Sequence, residues 1–235
     1  MSVNGVINGG GPSLVQQAMD AVTAHIRDSR LRVGDTLPGE GHFAGELGVS
    51  RAVMREAFGA LAALRMIDVG NGRKPRVAAI DGSVFAASLD HGVSTAQISV
   101  ADVWDVRRTI ELRTIALAAE NRTDAQAAAI HALVDRMADE VDDHSPTDHD
   151  IALHTLIAEA SGNPLFVAIV RSFEPLMQVA VPEAWKTRTT EEQRHSIIVN
   201  HRALADAISA RDPQAALDAM TGHFDASVGA LLKDR

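Results

Sequence analysis

The sequence predicts a mainly α-helical protein in two parts: three helices with a β-hairpin, then an all-α antiparallel helical bundle. Three observations predict it. Apolar residues recur at helical spacing along most of the 235-residue chain. Strand-like pieces gather in one place, on either side of Gly70-Asn71-Gly72. Charge divides the chain, with a balance of +2 over residues 1–80 and −11 over 81–235. The length suits two domains of ordinary size.

Taken in order, the Gly/Asn-rich start to Gly11 reads as a flexible tail. Leu14, Val15, Ala18, Val22 and Ile26 form the apolar stripe of a first helix that stops near Ser29. The stretch RLRVGDTLPGE, with Gly34, Pro38 and Gly39, is a connector. A second helix fits Gly41–Leu47 and ends at Gly48. A third begins after the N-cap Ser50 and runs to about Leu64. Met66–Val69 and Arg76–Ala79 then pair as a hairpin. Three helices and a hairpin are the order of a winged helix-turn-helix, so residues 12–80 read as one domain and 81–96 as a linker. From 97 to 235, amphipathic segments at about 97–120, 123–143, 148–161, 164–180, 190–210 and 212–233 predict the bundle. Ser145-Pro146, Gly162-Asn163-Pro164, Pro182 and Asp212-Pro213 mark its breaks.

The composition, 46% hydrophobic and 23% charged, is that of a soluble globular protein. No run approaches the roughly 20 apolar residues of a membrane span, and the N-terminus lacks a secretory signal. A cytoplasmic protein with no membrane partner is expected. The absence of cysteine leaves His and carboxylate as the only metal ligands, and ten histidines are available.

A helix-turn-helix needs a small residue where its helices approach and a glycine at the bend, and Ala44 and Gly48 have that spacing. Apolar packing then leaves Arg51 and Arg55 together on the outer face at i,i+4. Such a pair reaches phosphates and guanine edges. It is equally the pattern of a solvated helix face. Residues 50–80 carry six basic side chains against two acidic, which favours a phosphate backbone.

The segment LPGEGHFAGELGVSRAVMREAFGALAALRMIDVGNGRKPRV resembles the DNA-binding domain of the GntR family of bacterial regulators. The resemblance implies that Arg51 and Arg55 contact double-stranded operator DNA, that Ser50 or its neighbours touch phosphate, and that Asn71-Gly72-Arg73 at the wing tip enters the minor groove. The sequence departs from the family pattern at Gly41, where a basic residue is common, and at Phe43, where leucine is usual.

In the second part, Asp150 and His154 lie four apart on one helix and project from one face. His201 and His223 each sit among apolar neighbours at helical spacing, which fits a hydrogen-bonded core histidine as well as a ligand. DIALHTLIAEASGNPLF, NHRALADAI and MTGHFD, with VRRTIELRTIALAA as the opening helix, resemble the FCD effector domain of FadR-like GntR regulators. That resemblance implies a metal held by Asp150, His154, His201 and His223. Three imidazoles and a carboxylate suit Zn²⁺, with Ni²⁺, Mn²⁺ or Fe²⁺ as alternatives. It further implies a small carboxylate or hydroxy-acid effector at the ion, with Arg107 forked onto its carboxylate. Arg107 also reads as a surface pair with Glu111, and Asn163 either faces the effector or caps a helix.

The function implied is that of a homodimeric transcription regulator, a repressor, whose operator binding responds to that acid, and not an enzyme. Two other readings compete. An all-helical metal-dependent phosphohydrolase would use the adjacent His149-Asp150, and a purely structural metal would need no effector.

Overall fold

A computed structural model of the protein describes residues 12–70, 72–140 and 147–227. The expected tail to Gly11 and the wing residue Asn71 lie outside the described residues. The chain divides between Ile80 and Asp81 into two compact units.

The first unit contains α1 (Leu14–Asp28), α2 (Glu40–Leu47), α3 (Arg51–Ala63), β1 (Ile67–Asp68) and β2 (Arg76–Val77). Ser13 caps α1, its hydroxyl accepting from the Gln16 N–H at 3.1 Å. At the end of α2 the chain turns through Gly48, whose φ of 66° any other L-residue adopts only with strain. Ser50 then caps α3 by accepting from the Val53 N–H at 3.2 Å. The strands are antiparallel, with Ile67 opposite Val77 and Asp68 opposite Arg76, and Thr36 of the connector bridges to Arg76. They are shorter than the four-residue pieces expected, with two pairs in register. Val22, Leu37, Phe43, Met54, Phe58, Leu61 and Ile67 form the core, each large side chain contributing about 1.5–3 kcal/mol by burial. Phe43 packs on Phe58 with ring centroids 6.0 Å apart, so the departure from leucine is absorbed inside the core.

The second unit is a bundle of α4 (Ser83–Ser94), α5 (Val100–Asn121), α6 (Asp124–Glu140), α7 (Thr147–Ala160), α8 (Pro164–Ser172), α9 (Glu174–Lys186), α10 (Glu191–Ser209) and α11 (Pro213–Ser227). The segment expected as a linker is therefore mostly helix: α4 packs on α8 and α9. Gly82 permits this docking, since its φ is 84° and a Cβ there would lie 2.2 Å from the Ala168 carbonyl oxygen. The segment expected as one helix over 164–180 is two, bent by 54° at Phe173. Pro175 has no N–H for the Arg171 carbonyl and its ring crowds that oxygen, so the ladder breaks there. Pro182, expected as a break, instead lies inside α9. α5 starts on a reciprocal capping box between Ser99 and Asp102. It packs against α7, α10 and α11, and these four helices position the site. No single helix among the described residues is long and apolar enough to cross a membrane.

Candidate metal centre and nucleic-acid interface

α7 contributes Asp150 and His154, α10 contributes His201 and α11 contributes His223, all buried. One ligand atom from each lies within 4.8 Å of the other three. His201 Nε2 stands 3.2 Å from Asp150 Oδ1, and His154 Nε2 stands 3.8 Å from the same oxygen. The His223 ring centroid is 5.1 Å from that of His154 and 4.8 Å from that of His201. Donors that share an ion about 2.1 Å away are separated by about 3 to 4 Å, so these spacings fit one divalent ion. His154 Nε2 and His201 Nδ1 are buried without a hydrogen-bond partner. A lone nitrogen costs stability in an apolar interior, and a cation held by His154 Nε2 would satisfy it there.

Behind the cluster, Glu111 joins two partners. Its Oε1 accepts from Arg107 Nε at 2.5 Å, and its Oε2 meets His154 Nδ1. With Nδ1 of His154 against the Glu111 carboxylate, it is Nε2 that faces the cluster. Arg107 is only 3% exposed and Glu111 1%, so their pair is internal and not the surface pair that spacing allowed. Arg107 also meets Met177 Sδ and lies 4.9 Å from the Trp104 ring centroid.

Burial and charge within the site shift Asp150, Glu111 and His223. Burial pushes the Asp150 carboxyl up, but His154, His201 and Arg107 outweigh it and hold it far below the usual carboxylate range. Glu111 is lowered in the same way, burial being overcome first by Arg107 and then by His154. His223 is pushed well below the usual imidazole value, by burial first and then by His201 and His154. It is neutral at pH 7, with a lone pair to offer.

An open-mouthed cleft adjoins the cluster. Arg107, Asp150, His201 and His223 line it together with residues of α9 and α10. Arg188, just after α9, also lines it, donating from Nη1 to the Ala184 carbonyl at 2.6 Å. Asn163 does not. It is the exposed N-cap of α8, its Oδ1 accepting from the Leu165 N–H at 3.0 Å, so its effector-binding role gives way to capping. His149 is half-buried on α7 and stands outside the cluster, against the hydrolase reading.

In the first unit, Arg51 and Arg55 are exposed at the start of α3, and Arg55 Nε lies 3.7 Å from Glu40 Oε2. Gly72 has φ 72°, and Arg73 folds back so that a Cβ on Gly70 would lie 2.7 Å from its Nη2. Arg76 Nη1 donates to the Gly34 carbonyl at 2.6 Å, which makes it a brace of the wing.

The model of the FCD domain matches residues 102–226, over half of the chain. The model of the bacterial regulatory proteins of the gntR family matches residues 14–77. The chain belongs to the GntR family and carries an FCD domain. It is a DNA-binding transcription regulator, of a family of regulators and not of enzymes. The transcriptional repressor NanR of Citrobacter rodentium is 28% identical over 205 residues, spanning 85% of this chain and 78% of that protein. NanR of Salmonella newport is 27% identical over 204 residues, spanning 85% and 78%. Among solved structures, Streptococcus agalactiae GntR aligns with TM-score 0.65 at 23% identity, over 90% of this chain and 97% of that one. E. coli McbR/YncC aligns with TM-score 0.52 at 18% identity, over 95% and 99%. These two share the fold.

Within this GntR regulator, sequence reasoning did not find the bridging role of Glu111 or the place of Arg188. The i,i+4 spacing of Arg107 and Glu111 was visible, but the approach to His154 is made between α5 and α7, 43 residues apart. Arg188 follows α9 in WKTRTTEE, where no apolar period announces a buried face.

Proposed function

We propose that this GntR regulator is a repressor whose operator binding is modulated by a small organic acid bound beside a divalent metal in the FCD domain. The observation that carries the reading is the buried Asp150, His154, His201 and His223 set opening onto a cleft that Arg107 and Arg188 also line. Asp150, His154, His201 and His223 would hold the ion, for which Zn²⁺ is best suited and Ni²⁺, Mn²⁺ or Fe²⁺ are alternatives. When bound, the ion supplies a Lewis-acid site for a carboxylate. Arg107, held by Glu111, adds positive charge at the same wall. The protein acts as a cytoplasmic homodimer on near-palindromic duplex DNA, read by Ser50, Arg51 and Arg55 of the recognition helix and by Asn71, Gly72 and Arg73 of the wing. Support for repression comes from the NanR relatives, which are named repressors.

The test uses the full chain and a duplex selected from random DNA by the protein itself. Small carboxylic and hydroxy acids are screened by thermal shift with Zn²⁺ present, and the best is added to a gel shift. The expected result is a change in DNA affinity that disappears on chelation. Acid response that survives complete metal removal would overturn the role of the ion.

A further inference from the structure

We infer that the acid taken by this cleft is a carboxylic or 2-hydroxy acid with an apolar substituent, and not a polyhydroxylated sugar acid; the inference rests on the reading that an acid binds beside the cluster. The lining separates into two kinds. Arg107, Asp150, His201 and His223 supply the polar side and are tied to the ligand cluster through one another and through Glu111. Trp104, Val181, Ala184, Trp185, Ile197 and Ala226 supply the rest of the wall, with Arg188 and Asn200 as the further polar residues. Arg188 commits donors to the backbone, Nη1 to the Ala184 carbonyl at 2.6 Å and Nη2 to the Ala226 carbonyl at 3.3 Å.

A sugar acid would set several hydroxyls against this wall. Each buried hydroxyl without a partner weakens binding, by about tenfold in typical cases. An alkyl or aryl substituent meets the opposite balance, because apolar area leaves water on both sides of the interface. Trp185 is the central determinant. Its ring is half-buried at the cleft, and the Arg194 guanidinium lies 5.7 Å from the ring centroid. Ile197 faces the same space from α10.

Isothermal titration of the full-length, Zn²⁺-loaded protein with 3-phenyllactate, 2-hydroxyisocaproate, lactate and gluconate tests this. The first two are expected to bind at least tenfold more tightly than gluconate and more tightly than lactate. In Trp185→Ala the ratio of 3-phenyllactate to lactate affinity should fall at least fivefold. Ile197→Ser should lower the same ratio, which keeps the test open if the tryptophan variant loses metal or folds poorly. Gluconate binding as tightly as 3-phenyllactate, or an unchanged ratio in both folded variants, would overturn the inference while leaving an acid sensor in place. Failure of all four acids to bind would instead remove the acid-sensor reading, and this inference with it.

Discussion

At the scale of single residues, Glu111 joins the candidate ion site to the arginine beside it. Replacing it by glutamine removes the charge that orients His154 Nδ1 and that Arg107 Nε meets at 2.5 Å. Glu111→Gln should lower Zn²⁺ affinity about 10- to 100-fold in competition with a chelator. Affinity within twofold of wild type would remove its orienting role. His223 gives a pH prediction for the metal-free protein. Its folded value lies well below the ordinary 6.5, so the unfolded chain takes up a proton that the fold excludes. Stability is therefore retained above pH 6.5 and declines as the pH falls below it toward the depressed value. A pH series of melting temperatures should show that decline in chelated protein, and His223→Gln should make it shallower. The sequence made the four ligand candidates visible because Asp150 and His154 share a helix, and family order supplied His201 and His223. It did not show that Arg107 faces inward, because an i,i+4 pair reads the same on either side of a helix.

Elements carry the next lessons. α4 occupies a segment read as a linker, and the decisive residue is Gly82, where the chain enters the helix with φ 84° against the Ala168 carbonyl. Gly82→Ala should destabilise the FCD domain by about 2 kcal/mol or more, read from denaturant midpoints, through both the positive φ and the 2.2 Å approach. A change under half that would mean α4 undocks at little cost. Asn163→Ala should cost about 1 kcal/mol by removing the α8 cap and leave acid affinity unchanged. A large fall in acid affinity would instead give Asn163 a part in binding. Most helices were legible from apolar period and caps, and their ends agree with the expectations to within a few residues, as at Leu14 and Ser50. The split between α8 and α9 was not, because Pro175 and Pro182 look alike in sequence. One sits at the start of a new helix, while the other is accommodated inside α9.

For the whole molecule, the distribution of charge and the division into two units separate two tasks. The balance of +2 over residues 1–80 against −11 beyond keeps the acidic excess in the FCD half. Arg51→Ala or Arg55→Ala should weaken specific duplex binding tenfold or more. The slope of log affinity against log salt should become shallower by about 1 for each phosphate no longer neutralised. Wild-type affinity at moderate salt would refute their assignment. Chelation should lower the melting transition of the FCD domain, read by calorimetry.

The carboxylate of Glu111 has two oxygens and a different client on each, an imidazole of the ion site and a guanidinium of the cleft. Where an ion and an acid bind as proposed, any coupling carried by this carboxylate is equal in both directions. On the proposed function, cation supply and acid supply become two inputs to one gate.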